Sequence, residues 1–454
     1  MDGTLASRTS VTVISLTEKE KRVELMAGQR DILNRRTLLK LLATAGASAT
    51  VVSSRPTPFG VSSPVYASGV QQTGIDAFEI HVSDDELEDL ARRLATPRWP
   101  PDVPGAAWAY GTDRAYLEEL VTYWRDHFDW RARETDLNAF DHYTTTIEGQ
   151  LIHFVHCKGS EAASLPLVMT HGWPGTIWEM LPSVKALSDP ERHGGEAVDS
   201  FDVVVPSIPG FGFSGEPSEG TDVARTAELW VALMEKLGYR RFGAYGSDWG
   251  AGVTRELGAR FPDRLIGIHT PGTPRRAQRA PETDEEREYV ARTNLWAVEE
   301  TGYQRIQGTK PQTLAYGLTD SPVGLAAWIT EKLRAWSDCG GDVESRFSKD
   351  QILTLVSLYW YTRTIGTSMR YYHANGLGNS RGRSAIGPIT VPQGYAEFLG
   401  MPARSRPPRS LFDARPPNVT HWSTYDSGGH FPAIEEPELL VGDLRTFFRP
   451  LRSV

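Results

Sequence analysis

The chain has 454 residues, enough for a large core in one α/β domain with attachments or in two or three separate domains. Its 57 acidic residues outnumber 48 basic ones, a net charge of -9 with no Lys/Arg-rich tract, which argues against nucleic acid or an anionic membrane surface as a partner. Cys157 and Cys339 are its two cysteines, too few for a disulfide framework or a zinc cluster.

Residues 1–67 read as a targeting segment rather than as part of the fold. Asn34-Arg35-Arg36-Thr37-Leu38-Leu39-Lys40 precedes an apolar run from Leu41 to Val52, and Val65-Tyr66-Ala67 has the small-residue character of a cleavage site. The pattern resembles a twin-arginine export signal, and Met26 would open an ordinary charged n-region for it. The apolar run is too short and too rich in Ala, Gly and Thr to cross a membrane, and no span of about 18 apolar residues occurs elsewhere. The expectation is a soluble product without stable membrane insertion, exported to an extracellular or periplasmic location.

Residues 74–141 read as a helical arm. Ser83 and Glu86 form a capping box, Leu87, Leu90 and Leu94 come next at helical spacing, and Arg98-Trp99-Pro100-Pro101 stops the run. A second helix extends from Asp113 to Phe128 with Leu117, Leu120, Tyr123 and Trp124 on one side, and Trp130 and Phe140 fall in the loop beyond it. Two helices cannot bury so many aromatics alone, so the arm should pack on the α/β core C-terminal to it.

From residue 142 to 273 apolar runs alternate with helical patterns. Strands are expected at His142–Ile147, Leu151–His156, Pro166–Thr170, Phe201–Val205, Phe242–Tyr245 and Leu265–His269, with helices at Trp178–Leu187, Val223–Leu237 and Ala251–Phe261. This rhythm predicts an α/β fold, a mostly parallel sheet covered by helices on both faces. His153 and His156 are three apart on one strand and face opposite sides, which argues against a shared metal.

Within this stretch Gly246-Ser247-Asp248-Trp249-Gly250 joins a short apolar strand to a helix. Strand, small residue, polar residue, small residue, helix is the layout of a nucleophile elbow of the α/β-hydrolase fold, where glycines permit a strained turn that lifts one side chain clear of the sheet. The usual occupant is serine; here it is Asp248, whose carboxylate can attack carbon and form an ester that water must then hydrolyse. After the third strand comes His171-Gly172-Trp173-Pro174-Gly175. In this fold that loop and the residue after the nucleophile supply backbone N–H groups to an oxyanion hole, which here points to the amides of Trp173 and Trp249. Pro206-Ser207-Ile208-Pro209-Gly210-Phe211-Gly212 is a second loop at the same sheet edge.

Between residues 274 and 387 the strand rhythm stops, and helices are expected at Glu285–Glu300, Pro322–Trp336 and Lys349–Tyr372. An all-helical insertion between late strands reads as a cap over a binding cleft. Tyr303 and Tyr372 within it are neutral donors suited to an oxygen gaining negative charge. The core resumes over residues 388–454 with a last strand at Val419–Tyr425, then Ser427-Gly428-Gly429-His430-Phe431 and a helix entered at Pro437. A histidine just past the final strand is where this fold keeps its base.

Taken together, His171–Thr176, Pro206–Ser214, Gly246–Gly250, Tyr303–Ser321, Pro322–Ala327 and Gly428–Pro437 resemble the microsomal-type epoxide hydrolase family, with its N-terminal epoxide hydrolase arm, over roughly Phe78 to Phe448. The resemblance implies Asp248 as nucleophile, Tyr303 and Tyr372 as donors to the epoxide oxygen, and His430 as the base that activates water. It implies a small epoxide, which the many aromatics suggest is apolar, and water as partners, a vicinal diol as product, and neither a metal nor an organic cofactor. The chain departs from the family at the acid that orients the histidine. That Glu falls on Met401 counting from Val391, or near Ala403 counting back from Pro407-Pro408-Arg409-Ser410. Glu397, Asp413 and Asp426 are the nearby substitutes. Haloalkane dehalogenation, which shares an Asp nucleophile with a neighbouring Trp, is the second enzymatic reading. A binding protein on an impaired hydrolase scaffold is the third.

Overall fold

The computed structural model describes residues 74–272, 280–377, 386–401, 408–412 and 418–452. The expected export segment and Asp413 lie outside them. Among the described residues nine strands build one sheet: β1 (Ile75–Phe78), β2 (His142–Ile147), β3 (Gln150–Cys157), β4 (Leu165–Thr170), β5 (Phe201–Pro206), β6 (Phe242–Gly246), β7 (Leu265–Pro271), β8 (Gln393–Phe398) and β9 (Val419–Tyr425), in spatial order β1-β2-β3-β5-β4-β6-β7-β8-β9. The β1-β2-β3-β5 edge is antiparallel; every pairing from β5 through β4 to β9 is parallel. The parallel strands are near-continuous apolar runs because helices cover both faces. Strands β5 and β6 flank β4, so the order reverses there, and the carboxyl ends of β4 and β6 open the crevice where such sheets place ligands.

The arm is not wholly helical. Its first residues form β1, which extends the sheet edge with Ile75 opposite Thr145. Four residues with alternating exposure are too short a run to separate from a loop by pattern. Helix α1 (Asp84–Ala95) ends just before Pro97, with Ser83 capping its start, and α2 (Arg114–Asp126) is capped by Asp113. Trp130 does not lie in a loop; it opens a third helix, α3 (Trp130–Leu137), capped by Asp129. That helix has almost no apolar stripe, and a polar anchor holds it instead. Buried Glu134 accepts the Val82 amide at 2.7 Å and Trp130 Nε1 at 3.1 Å. Leu90, Leu94, Leu117, Leu120 and Trp124 join the same core as the sheet, as expected of an arm that cannot bury its own aromatics.

Helices α4 (Ile177–Ser188), α5 (Val223–Lys236) and α6 (Trp249–Arg260) follow β4, β5 and β6. Among the described residues six helices separate β7 from β8: α7 (Asp284–Glu300), α8 (Gly302–Thr309), α9 (Pro311–Asp320), α10 (Pro322–Trp336), α11 (Lys349–Thr362) and α12 (Ile365–Ala374). The single helix expected over Lys349–Tyr372 is broken at Arg363, which sits in the left-handed region at φ 54°. Without glycine the break carries no turn signal. It is fixed by tertiary contact, with the Arg363 guanidinium 2.6 Å from Glu86 of the arm. His153 and His156 do face opposite ways: His153 is bonded to His142 and Ser207 inside the sheet edge, and His156 to Tyr239.

A short helix, α13 (Pro432–Glu435), leads into α14 (Pro437–Phe448), which closes the C-terminal half of the sheet through buried Asp443. Its carboxylate lies 2.6 Å from His269 Nε2 and 2.9 Å from His421 Nε2, and accepts the hydroxyls of Ser423 and Tyr425. These donors hold its pKa well below the usual carboxylate range despite burial. The two imidazoles and the carboxylate have a metal-like grouping, within 4.8 Å of one another, but the contacts present are those of a hydrogen-bond hub. Asp443→Ala leaves these donors buried without an acceptor and should cost about 3 kcal/mol of stability, read by chemical denaturation at neutral pH.

Candidate active site

Strand β6 ends at Gly246 and α6 begins at Trp249, leaving Ser247 and Asp248 to make the turn. Asp248 takes φ 49° and ψ -117°, a conformation that costs on the order of 1–3 kcal/mol for a residue with a side chain. Packing forces it: a Cβ on Gly250 would stand 2.0 Å from the carbonyl oxygen of Thr170 at the end of β4. The oxyanion loop approaches as closely, since a Cβ on Gly172 would lie 2.3 Å from that of Asp248. The elbow and this loop are therefore locked against each other by backbone.

The two oxygens of Asp248 differ. Oδ1 accepts the Trp173 amide at 2.9 Å. Oδ2 lies 3.4 Å from His430 Nε2, which has no hydrogen bond there. The Trp249 amide opens α6 and donates no hydrogen bond to the Asp248 side chain. One oxygen is thus held by a backbone donor, while the other faces the histidine and the cleft.

Aromatic rings wall the space above. Trp173 stacks on Tyr303 at 5.2 Å and 10°, Trp249 meets Tyr372 edge-on at 4.8 Å, and the tyrosine rings lie 5.7 Å apart. Trp336, at the end of α10, touches Tyr303, Trp173 and His430, with ring centroids 5.0, 6.3 and 5.0 Å away. Burial and the nearby Asp248 carboxylate push the pKa of both tyrosines upward, so both remain protonated donors across the working pH range. The Tyr372 hydroxyl is buried and makes no hydrogen bond.

Two buried groups support the site from behind. His171 is fully buried, its pKa lowered to about 4 by desolvation, and its Nε2 accepts the Ile208 amide at 3.2 Å. The neutral ring thereby fastens the loop at residues 171–175 to the one at 206–212. Glu179 in α4 accepts the Ser247 hydroxyl at 2.9 Å, and burial raises its pKa to about 8. A protonated Glu179 spares Asp248 a second negative charge behind the elbow.

The structure thus brings Asp248, Trp173, Trp249, Tyr303, Tyr372 and His430 together. Of the substitute acids, the two among the described residues are not paired with His430. Glu397 lies on β8 with its carboxylate bonded to Thr424, across the pair with β9, and Asp426 is exposed. Met401, one of the two positions onto which the family's acid counts, is buried in the apolar core; Ala403, the other, lies outside the described residues. Among the described residues, Asp248 is the one carboxylate in ion-pair contact with His430. Trp336 and Glu179 escaped the sequence reading. A helix-terminal tryptophan and an acid in the first turn of a helix carry no pattern that separates them from ordinary packing and dipole pairing.

A sheet with this topology and an acid at its elbow define an α/β-hydrolase whose nucleophile position holds a carboxylate. The family model described as "Epoxide hydrolase N terminus" matches residues 75–180, and the one described as "alpha/beta hydrolase fold" matches residues 166–321. A putative epoxide hydrolase of Stigmatella aurantiaca is 41% identical over 391 residues, covering 84% of this chain and 86% of the relative. Epoxide hydrolase 1 of Sus scrofa is 35% identical, covering 84% and 90%. Among solved structures, the juvenile hormone epoxide hydrolase of Bombyx mori superposes with a TM-score of 0.72 at 29% identity, covering 85% of this chain and 96% of that one. The Aspergillus niger epoxide hydrolase gives 0.72 at 28% identity, covering 84% and 97%. The chain belongs to the epoxide hydrolase family.

Because Glu179 titrates near pH 8 when folded and near 4.5 otherwise, the unfolded state ionises first, and its burial weakens the fold progressively as pH rises between those values. Glu179→Gln should match the parent at about pH 5 and exceed it by roughly 2 kcal/mol or more at about pH 9, measured by urea unfolding at both pH values.

Proposed function

We propose that this chain hydrolyses an epoxide to a vicinal diol through an ester on Asp248. The observation that carries the reading is the asymmetry of that carboxylate: Oδ1 rests on the Trp173 amide while Oδ2 is turned to His430 Nε2. Oδ2 attacks a ring carbon from the side away from the breaking C–O bond. Tyr303 and Tyr372 hydrogen-bond the departing oxygen, and one of them delivers its proton. His430 Nε2 then takes a proton from water as the water oxygen bonds to Cγ of the ester. Negative charge develops on Oδ1, already at the Trp173 amide, with the Trp249 amide as the second donor. Collapse breaks the bond from Cγ to the ester oxygen, His430 returns its proton to the diol, and the carboxyl proton restores the tyrosine. The sum is epoxide plus water to diol.

The aromatic walls favour a small apolar epoxide, and the six helices between β7 and β8 act as its cap. The cap steadies the chemistry as well as covering it: Tyr359 donates to the Gly175 carbonyl at 3.2 Å and Thr367 to that of Gly210 at 2.6 Å, one for each loop of the site. We also infer export by the twin-arginine segment. No helix among the described residues is long and apolar enough to cross a membrane. Replacing Arg35 and Arg36 by lysine should hold a tagged precursor inside a bacterial host, read by fractionation.

Styrene oxide tests the main reading. Asp248→Ala should form no diol. Tyr372→Phe and Tyr303→Phe should each slow ester formation by about 10- to 100-fold, and the double variant by far more. His430→Gln should form the ester at nearly the parental rate and retain it, seen as a persistent mass increase on the Asp248 peptide. Diol production by Asp248→Ala would refute the reading.

A further inference from the structure

An imidazole base is ordinarily held by an acid on its Nδ1, and losing that acid costs orders of magnitude. Here the place of that acid falls on Met401 or near Ala403, and among the described residues neither Glu397 nor Asp426 makes an ion pair with His430. The loop that carries the ring is tied down at each step.

The Gly428 amide donates to Asp338 Oδ2 at 3.1 Å, the His430 amide to the Trp336 carbonyl at 2.9 Å, and the Phe431 amide to Glu435 Oε1 at 2.9 Å. Glu435 also takes the Asp338 amide on its other oxygen at 2.8 Å. The Trp336–Asp338 segment belongs to the cap, directly after α10. Arg346 braces it, 2.5 Å from Asp338 Oδ2 and 2.9 Å from Glu436 Oε1. The His430 ring lies between Trp336 and Phe431, with centroids 5.0 and 4.9 Å away. Asp338 also stands against the chain just before Met401: a Cβ on Gly400 would come within 2.2 Å of its carboxyl carbon. A cap carboxylate therefore occupies the space beside the position where the family's acid would enter.

We propose that Asp338 is a positioning residue for His430. It reaches from the cap and fixes the catalytic loop through its backbone, in place of an acid on the imidazole. The inference rests on the reading of His430 as the base of ester hydrolysis. Asp338 touches neither substrate nor the imidazole. It acts by holding the Gly428 amide and, through Glu435 and Arg346, the register of the loop on the Trp336 carbonyl. Aligned water activation then depends on the cap being seated, so the cap serves the second half of the reaction as well as the first.

Because Asp338 acts on the His430 loop and makes no contact with Asp248, its loss should separate the two half-reactions. Single-turnover kinetics with styrene oxide, followed by quenched mass spectrometry of the Asp248 peptide, resolve ester formation from ester hydrolysis. Asp338→Ala is expected to form the ester within about threefold of the parental rate and to hydrolyse it at least about thirtyfold more slowly. Asp338→Asn keeps an acceptor for the Gly428 amide but loses the charge that binds Arg346. It should fall between parent and Asp338→Ala, and it carries the same test should the alanine variant not fold. Equal slowing of both steps, as general destabilisation would give, or unchanged ester hydrolysis in either variant overturns the proposal. A parent that forms ester and diol while Asp338→Ala matches it removes only the positioning role. A parent that forms neither removes the reading of the site on which that role rests.

Discussion

The backbone contact between the elbow and the oxyanion loop is the constraint on which the rest of the site depends. Asp248 holds a left-handed conformation because α6 is pressed against the end of β4 and Gly172 against Asp248 itself. That strain is sustained by the parallel sheet, whose central strands are buried on both faces. It fixes the carboxylate relative to the Trp173 amide before any substrate arrives. Every other group is placed relative to those two oxygens: His430 from past β9, the tyrosines from the helical insertion, and neutral Glu179 from behind.

The helical insertion and the arm complete the site rather than merely shelter it. Tyr303, Trp336 and Tyr372 all come from the insertion, and their rings pack with those of Trp173 and Trp249 beside Asp248. Burial keeps both phenols protonated. The arm holds the insertion by ion pairs from Glu86 to Arg363 and from Arg93 to Asp320. Its helices share the core beneath. A hydrolase core with neither attachment would keep its elbow and lose Tyr303, Trp336 and Tyr372.

Much of this was legible in the sequence because the site is built from turns. Elbow, oxyanion loop and histidine loop each need glycine at positions fixed by backbone approach, and the strands between them are apolar runs of the right length. The tyrosines stood out as neutral donors in the helical insertion, but their role came only with the family resemblance, since an aromatic residue in a helix more often packs than reacts. What escaped reading depends on tertiary contact. Strand β1 is four residues with weak alternation, α3 is held by Glu134 instead of an apolar stripe, and the break at Arg363 is stabilised by Glu86. Asp338 could not be found by spacing, because it stands 90 positions from Gly428, the residue it bonds. Local sequence pattern carries no trace of it, and Glu397 and Asp426, which spacing did suggest, are not paired with His430.

The central claim is that Asp248 becomes covalently bound to its substrate. Isotope tracing tests it without any substitution. Excess enzyme is allowed one turnover of styrene oxide in water enriched in oxygen-18, and the diol and the Asp248 peptide are weighed separately. If the ester forms, the oxygen added to the epoxide comes from Asp248, so the first diol is unlabelled and the label enters the Asp248 carboxylate. Label in the first diol with none in that peptide would mean direct attack by water on the epoxide, and would contradict the account.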